Sequence, residues 1–332
     1  MNLARFPRRR YTEGWTPVEY LPRFSQAVGG PAIYIKRDDL LGLTAGGNKA
    51  RKLEFLVADA LAQGADTLIT CGAIQSNHCR MTLAAAVKEG LACRLILSEV
   101  VPGSYKPDAG GNIFLYHLLG AENIKVVPRG TDLGAALAAA AAEAAAEGRR
   151  PYSIPMGGSD HLGTLGYVAC AQEIMAQSFA AGTAFSHIVV AAGSAGTQGG
   201  LQLGLTAMNC RIPVIGICVL HPAAEQQSLT ADLARQTAAH LGLDIALDPA
   251  DVICLDQYLG AGYTLPTAGM IEAVKLLART EGILLDPSYT GKAMAGLIDL
   301  ARQDFFGKSA NVLFLHTGGS PSLFADPGLF AD

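Results

Sequence analysis

Residues 187–205 read HIVVAAGSAGTQGGLQLGL, and this stretch decides the fold class. The apolar run at 187–191 predicts a strand, the glycine-rich segment 193–200 predicts a turn, and the residues from 201 onward begin a helix. The run does not alternate with polar residues, which is typical of a strand in a parallel sheet covered on both faces. The stretch therefore predicts a strand–turn–helix unit of an α/β fold.

The same alternation of strand and helix runs along most of the chain. Helices are predicted after Lys49, from about Ser76, from Asn112 and after Asp132. The other predicted strands are 32–36, 67–70, 94–97, 124–127, 214–219 and 311–316. We therefore predict an α/β fold with doubly wound parallel sheets, whose ligands bind outside the carboxyl ends of the strands.

The composition limits the possible partners and the compartment. The chain has 332 residues, 50% hydrophobic and 16% charged, which predicts a sizeable buried core. The net charge is −4 and the only basic cluster is Arg8-Arg9-Arg10, so nucleic acid is not an expected partner. No apolar segment suits a signal peptide or a membrane span, and the seven cysteines form no Cys-x-x-Cys pair. We expect a cytoplasmic protein with no membrane partner, no disulfide framework and no metal site.

The glycine-rich turn at 193–200 predicts an anion site. Glycines allow backbone N–H groups to approach an anion, and the following helix N-terminus adds positive potential. The hydroxyl groups of Ser194 and Thr197 are further donors. The spacing matches neither the dinucleotide Gly-x-Gly-x-x-Gly pattern nor a Walker loop. A single phosphate group fits this turn best, and a glycine-rich turn with no ligand is the alternative.

A lysine follows two glycines in the stretch Gly46-Gly47-Asn48-Lys49, just before a predicted helix. A lysine amine becomes nucleophilic when burial or a nearby cation lowers its pKa, and it then forms a Schiff base with an aldehyde cofactor. Arg51 or Lys52 would be such a cation, or both would be solvated. The alternative for Lys49 itself is an ordinary surface lysine at a helix start.

Three polar residues, Ser76-Asn77-His78, stand at another turn before a helix. A helix N-cap explains Ser76 or Asn77 without any ligand. Free N–H groups at the same turn would bind a carboxylate, and the Asn77 amide would donate to a phenolic oxygen. Both interpretations remain open for this segment.

Two further turns carry candidate residues. Asp286-Pro287 predicts a turn that places Tyr289 before a helix, where it packs or acts as an acid or base if Lys292 lowers its pKa. Thr317 follows the last strong strand, at the end where ligands bind. The segment 157–159, which also follows an apolar stretch, is a weaker candidate of the same kind as the turn at Thr317. The histidines His78, His161 and His316 are each a possible base, although a lone histidine is more often structural.

Taken together, the motifs resemble the fold-type II pyridoxal phosphate enzymes of the aminocyclopropane-carboxylate deaminase and D-cysteine desulfhydrase family. The resemblance runs nearly end to end, through 3–8, 16–17, 36–39, 47–54 and 316–319. It implies a tryptophan synthase β-like architecture of two domains, with 1–51 and 162–332 forming the larger, cofactor-binding domain and 52–161 the smaller one. It also implies a homodimer and a small amino acid as substrate.

The resemblance assigns cofactor roles to particular residues. Lys49 matches the lysine that forms the Schiff base and later moves the Cα proton. Asn77 matches the residue facing the ring oxygen, and Thr317 the hydroxyl partner of the pyridine nitrogen. The phosphate loop matches Gly193, Ser194, Ala195, Gly196 and Thr197.

It also assigns substrate and catalytic roles. The loop of Ser76, Asn77 and His78 matches the substrate-carboxylate loop, and Tyr289 matches a tyrosine beside the ring. Lys49, Tyr289 and Ser76 are therefore the expected catalytic residues. The candidates for a sulfonate-binding set are His78, Ser159, His161 and Tyr263, each of which also reads as packing or loop structure.

The expected reaction is a β-elimination by a carbon–sulfur lyase. The deaminase branch has glutamate after the tyrosine matching Tyr289, whereas this chain has Thr290, which argues against cyclopropane ring opening. Gln198 and the segments around 208–209 and 212–214 look closer to L-cysteate sulfo-lyases, so L-cysteate is the preferred substrate and D-cysteine the alternative. A catalytically silent cofactor-binding protein and a nicotinamide dehydrogenase are two further alternatives, and the missing Gly-x-Gly-x-x-Gly pattern argues against the dehydrogenase.

Overall fold

A computed structural model describes residues 1–331, whose strands and helices alternate. The strands are Val18–Tyr20 (β1), Ala32–Lys36 (β2), Thr67–Ala73 (β3), Ala92–Glu99 (β4), Asn123–Pro128 (β5), Pro151–Ile154 (β6), His187–Ala192 (β7), Val214–Cys218 (β8), Ile253–Leu255 (β9) and Asn311–Leu315 (β10). The helices are Pro22–Val28 (α1), Lys49–Ala62 (α2), Asn77–Glu89 (α3), Asn112–Leu118 (α4), Leu133–Ala146 (α5), His161–Ala181 (α6), Gly196–Ala207 (α7), Ala223–Leu241 (α8), Ala268–Glu281 (α9) and Thr290–Arg302 (α10).

The strands form two separate sheets. The larger has the order β1-β2-β10-β7-β8-β9 and the smaller the order β5-β4-β3-β6. Every pairing is parallel except that of β1 with β2, at the edge of the larger sheet. The predicted α/β fold with two parallel sheets is confirmed. Three strands were not predicted, β1, β6 and β9, because segments of three or four residues are too short to show an apolar run.

The two sheets occupy the two predicted domain ranges. Strands β3 to β6 lie within 52–161, and all the others lie within 1–51 or 162–332. The exact boundary residues remain a prediction. Of the helices formed by residues 1–331, none is long and apolar enough to span a membrane.

Each sheet has its own apolar core. Ile33 of β2 and Phe314 of β10 pack with α9 and α10 beside the larger sheet, and both side chains are fully buried. Leu53 of α2 and Leu95 of β4 belong to the core of the smaller sheet. Helix α2 also contacts α6 closely, since a methyl group added at Gly166 would lie 2.3 Å from the Arg51 carbonyl oxygen. The helix that begins at Lys49 is therefore held from two sides.

A buried ion network ties α2 to α6 and to the end of β2. The Arg51 guanidinium donates to both carboxylate oxygens of Asp38 at 2.8 Å and to Glu173 Oε2 at 2.8 Å. Lys36 donates to Glu173 Oε1 at 2.5 Å. All four side chains are buried. Since the Asp38 carbonyl oxygen also accepts from Gly47 N at 3.1 Å, the network anchors the loop that precedes Lys49.

Candidate active site

One pocket at the carboxyl ends of the larger sheet collects most of the predicted site residues. Those that line it are Lys49, Asn77, His78, Gly193, Ser194, Ala195, Thr197, Tyr289 and Thr317. Two other candidates form hydrogen bonds to lining residues, Ser159 to Ser194 and Tyr263 to Tyr289. Ser76 and Gly196 are next to lining residues in the chain. His161 lies elsewhere, with its ring centroid 4.6 Å from that of His240. Most of the residues singled out from sequence therefore lie at one pocket, and the tertiary structure shows which of them line it and which lie behind the lining.

Lys49 is the first residue of α2, and two glycines place it there. Gly46 has a φ of 62°, and a methyl group at this position would lie 1.8 Å from the Asp39 carbonyl oxygen. Gly47 has a φ of 124° and lies close to the Thr317 carbonyl oxygen. Only glycine fits such a turn. The two glycines therefore direct the Lys49 side chain into the pocket.

Burial lowers the pKa of Lys49 to about 8, and a hydrogen bond with Lys52 acts in the opposite direction. The side chain is partly accessible from the pocket but is surrounded by protein atoms, which accounts for the desolvation. Lys52 is fully buried, and burial together with the nearby Lys49 charge puts its pKa well below the usual value. Of the two cations considered from sequence, Lys52 is therefore the neighbour of Lys49. Arg51 instead pairs with two carboxylates.

Lys52 lies against Gly196, where the glycine-rich loop leads into α7. Its Nζ donates to Ser159 Oγ at 2.8 Å and to the Gly157 carbonyl oxygen at 3.1 Å. Ser159 in turn donates to Ser194 Oγ at 2.9 Å. Ser159 is therefore placed with the phosphate loop, and its predicted substrate-binding role gains no support from this position. Lys52 adds an N–H donor to a loop that contains no lysine of its own.

The loop from Gly193 to Thr197 has an unusual backbone. Ala195 has φ 64° and ψ −39°, and Gly196 N donates to the Ser194 carbonyl oxygen at 2.8 Å, which together define a γ-turn. Such strain is concentrated at ligand-binding sites. Within residues 1–331, the N–H groups of Ala195 and Thr197 have no acceptor, so the turn leaves them available to an anion.

Three hydrogen-bond donors pack closely against Gly196. A methyl group added at Gly196 would lie 2.8 Å from Lys52 Nζ, 2.9 Å from Ser159 Oγ and 3.1 Å from Thr164 Oγ1. The Thr164 hydroxyl is buried and has no hydrogen-bond partner in the described part of the chain. Asn48 Nδ2 donates to Thr197 Oγ1 at 3.0 Å on the other side of the loop. These groups suit a phosphate monoester.

Asn77 has an amide whose orientation is set by its neighbours. Its Oδ1 accepts from Arg80 Nη1 at 2.8 Å and from Asn112 Nδ2 at 2.9 Å. Its Nδ2 lies against Gly319, where an added methyl group would be 2.7 Å away, and it has no acceptor among residues 1–331. The free end of the Asn77 amide is therefore the donor, as binding of a phenolic oxygen requires.

Ser76 is the N-cap of α3, where its Oγ accepts from Cys79 N at 3.2 Å. The structural interpretation of this residue is therefore confirmed. The N–H groups of Asn77 and His78 in the same first turn have no acceptor within residues 1–331, which keeps the carboxylate-binding interpretation of the loop open.

His78 is buried beside the lysine pair. Its Nε2 is 2.7 Å from Thr70 Oγ1, and its Nδ1 has no hydrogen-bond partner within residues 1–331. Burial and the charges of Lys49 and Lys52 put the pKa of His78 well below its usual value. The imidazole is therefore neutral and does not supply a cation to the pocket.

The hypothesis that Lys292 lowers the pKa of Tyr289 is wrong. Lys292 Nζ is buried and donates to the carbonyl oxygens of Leu259 and Gly262, both at 2.8 Å. Burial, with Tyr263 beside it, raises the pKa of Tyr289 well above the usual value. Burial raises the pKa of Tyr263 to about 12. The two hydroxyl groups form a hydrogen bond, so the pocket contains a pair of protonated phenols.

Thr317 and His316 follow β10 and have different environments. The Thr317 hydroxyl faces the pocket and has no hydrogen-bond partner in the described part of the chain. His316 is fully buried, with Nε2 2.9 Å from the Leu284 carbonyl oxygen and Nδ1 accepting from Gly318 N at 3.2 Å. His316 therefore has a structural role, and Thr317 remains available to a ligand.

The Gln198 side chain turns away from the pocket that its backbone borders. Its Nε2 donates to the carbonyl oxygens of Ile253 at 2.9 Å and Val214 at 3.3 Å, at the edge of the larger sheet. Its Oε1 accepts from the Cys254 thiol at 3.6 Å. Gln198 was one of the sequence features that favoured L-cysteate, together with segments 208–209 and 212–214, and its side-chain hydrogen bonds are directed to β8 and β9.

Sequence reasoning missed Arg80, Asn48 and Thr164. An arginine on the apolar face of a predicted helix was a usable signal for Arg80. Nothing in the sequence distinguished Thr164 or Asn48 from ordinary polar residues, because their contacts come from segments more than thirty residues away.

The donor set fits pyridoxal phosphate. One pocket is lined by the Lys49 amine with its lowered pKa, the free Asn77 amide, the Thr317 hydroxyl and four residues of the glycine-rich loop. Lys52 and the unpartnered Thr164 hydroxyl lie behind this loop, against Gly196. Lys49 would bind the aldehyde carbon, the loop with Lys52 the phosphate, Asn77 the ring oxygen and Thr317 the ring nitrogen.

Comparisons with known proteins agree with this geometry. Residues 9–318 match the family described as "Pyridoxal-phosphate dependent enzyme", and the chain belongs to that family. It is 48% identical over 325 residues to the D-cysteine desulfhydrase of Salmonella paratyphi C (strain RKS4594), covering 98% of this chain and 97% of the relative. A crystal structure described as an ACC deaminase homologue matches with a TM-score of 0.87 and 40% identity, covering 99% of this chain and 96% of that one. The predicted fold type, enzyme class and pyridoxal phosphate cofactor are confirmed.

Proposed function

We propose that this enzyme is a carbon–sulfur lyase that converts D-cysteine and water to pyruvate, hydrogen sulfide and ammonium. Its similarity along nearly the whole chain to a D-cysteine desulfhydrase carries this proposal. The bound cofactor would supply an electron sink for the Cα carbanion that precedes loss of the sulfur. The side chains of the pocket account for binding and for proton movement.

Lys49 would remove the Cα proton once the substrate amine has displaced it. Lowering a lysine pKa from 10.5 to about 8 raises the neutral fraction at pH 7.5 from about 0.1% to roughly a quarter. The desolvated amine is therefore available as a base at neutral pH without a neighbouring carboxylate.

The Tyr263–Tyr289 pair would protonate the departing sulfur. Because burial keeps both phenols protonated, the pair holds protons to donate rather than sites to accept one. The free N–H groups of Asn77 and His78 would bind the substrate carboxylate. Ser76 would hold this turn in place through its cap.

The charge of the pocket favours a thiol over a sulfonate. Among the described residues lining the pocket, Lys49 is the one lysine, no arginine is present, and His78 is neutral. Lys52 is engaged at the phosphate end. L-Cysteate carries a permanent anion that would remain unpaired in this pocket, whereas a cysteine thiol is neutral at pH 7. This observation supports a cysteine over the L-cysteate preferred from sequence, and the similarity to a D-cysteine desulfhydrase supports the D-isomer.

The test is a side-by-side assay of the purified holoenzyme with D-cysteine, L-cysteine and L-cysteate, following pyruvate, sulfide and sulfite. Sulfide with pyruvate from D-cysteine is the expected result. Sulfite from L-cysteate without sulfide from D-cysteine would overturn the proposed substrate. Cofactor bound without any turnover would instead support the silent cofactor-binding alternative.

A lysine substitution tests the proposed base. Lys49→Ala should lose all turnover and bind the cofactor weakly, whereas Lys125→Ala, at a half-exposed lysine, should behave as wild type. Wild-type turnover by Lys49→Ala would rule out this lysine. The homodimer stays a prediction from the family resemblance, and the cytoplasmic location stays a prediction from the composition. Light scattering of the purified protein tests the first.

A further inference from the structure

Arg80 is a fully buried cation whose hydrogen-bond partners are all neutral. It lies in the first turns of α3 and makes no ion pair with an acid of residues 1–331. Nη1 donates to the side-chain oxygens of Asn77 and Asn112 at 2.8 Å each, Nη2 to Gly46 O at 2.9 Å, and Nε to Thr44 O at 3.1 Å. Burying a cation away from any acid is costly, so this arrangement needs a reason beyond packing.

The acceptors of Arg80 belong to two parts of the active site. Asn77 presents its free amide donor to the pocket, and its Oδ1 is fixed by Arg80 and Asn112. Gly46 belongs to the turn that directs Lys49 into the same pocket. One guanidinium thus connects the residue that would face the ring oxygen with the loop that carries the lysine.

We propose that Arg80 is a positioning residue that orients the Asn77 amide toward the ring oxygen of the cofactor and places a positive charge behind it. The inference rests on the proposed placement of Asn77 at that oxygen. A guanidinium that donates to the amide oxygen strengthens the opposite N–H donors and favours an ionised ring oxygen. A planar group with five donors also holds Asn77 and Gly46 at a fixed distance, which a lysine cannot do.

The charge of Arg80 persists under working conditions. Burial lowers its pKa to about 10, while Tyr116 and Asp286 act in the opposite direction. Tyr116 is itself buried with a raised pKa and is neutral, and Asp286 is held by the N–H groups of Ser288 and Tyr289. No acid within residues 1–331 therefore neutralises the guanidinium by direct contact.

The test measures the bound cofactor rather than turnover. Arg80→Gln, Arg80→Lys and Asn77→Ala are titrated with pyridoxal phosphate to obtain dissociation constants. The ratio of near-ultraviolet to visible absorption of the bound cofactor is then recorded, since an ionised ring oxygen favours the visible band. Arg235→Gln is the control, because it makes the same change at an exposed arginine that pairs with Asp232 and lies outside the pocket.

We expect Arg80→Gln to raise the dissociation constant at least about tenfold, the loss of one charge-assisted hydrogen bond, and to increase the near-ultraviolet fraction. Arg80→Lys should keep more of the visible band than Arg80→Gln because it keeps the charge, while losing affinity because it loses the geometry. Arg235→Gln should match wild type in both the dissociation constant and the absorption ratio. If Arg80→Gln does not fold, Arg80→Lys and Asn112→Ala carry the same comparison.

Two results would overturn the inference in different ways. If Asn77→Ala changes affinity and absorption but the Arg80 variants match wild type, Arg80 has no positioning role. If Asn77→Ala itself leaves both unchanged, Asn77 does not face the ring oxygen and the inference loses its basis. Neither result affects the proposed reaction, which the D-cysteine assay decides separately.

Discussion

The substitution Gly196→Ala should weaken the binding of pyridoxal phosphate at the loop from Gly193 to Thr197. The added methyl group would lie 2.8 Å from Lys52 Nζ and 2.9 Å from Ser159 Oγ, closer than a Cβ atom tolerates. Lys52 must then move, and its hydrogen bonds to Ser159 at 2.8 Å and to the Gly157 carbonyl oxygen at 3.1 Å are disturbed. The same methyl group occupies the space beside the phosphate-binding donors.

The expected magnitude follows from these contacts. Loss of one hydrogen bond involving a charged group costs about 1.5–3 kcal/mol, which weakens cofactor binding about 10- to 150-fold. Gly196 begins α7, and alanine has the higher helix propensity by about 1 kcal/mol. This gain partly offsets the disturbed Lys52 contacts, and thermal unfolding shows whether the variant is folded where its affinity is measured.

The assay is a titration of the cofactor-free protein with pyridoxal phosphate, followed by absorbance, with thermal unfolding of the same samples. Gly269→Ala is the matched control, because it lies in the first turn of α9 and its added methyl group would be 3.6 Å from Ala295 Cβ, an ordinary contact. An affinity of Gly196→Ala within about twofold of wild type, or an equal loss of affinity in Gly269→Ala, would refute the role of this loop in phosphate binding.

Three further predictions test the charges and the specificity argument. The pKa of Lys49 is about 8 in the folded protein and 10.5 in the unfolded chain, so the unfolded chain binds more protons between these pH values. The free energy of unfolding of the cofactor-free protein, relative to Lys49→Met, should therefore rise by up to about 1.4 kcal/mol per pH unit in this range. Urea unfolding at pH 8–10 measures this rise. Arg51→Met leaves two buried carboxylates without their cation and should destabilise by about 3–5 kcal/mol in urea unfolding, whereas the exposed Arg235→Met should change little. Gln198→His should change the ratio of D-cysteine to L-cysteate turnover by less than about threefold, and a larger change would mean that this position selects the substrate.

Local sequence determined the motifs and the class of the protein. Glycine turns, caps and apolar runs depend on neighbouring residues, so the loop at 193–197, the lysine after Gly46-Gly47 and the cap at Ser76 are each predictable from the residues around them. The short strands β1 and β9 are not, because three residues forming an edge pairing carry no periodic pattern of their own.

Only the tertiary structure decided which polar side chains face the pocket. From sequence, Lys292, Arg51 and Lys52 were equivalent candidates for the cation near a reactive group. Folding placed Lys292 under a loop, Arg51 in an ion network and Lys52 at the phosphate cradle. Likewise, the Gln198 side chain follows a packing constraint, because a methyl group on Gly216 would lie 2.2 Å from its Oε1. Side-chain direction, desolvation and long-range hydrogen bonds arise from segments distant in the chain, and local residue patterns do not encode them.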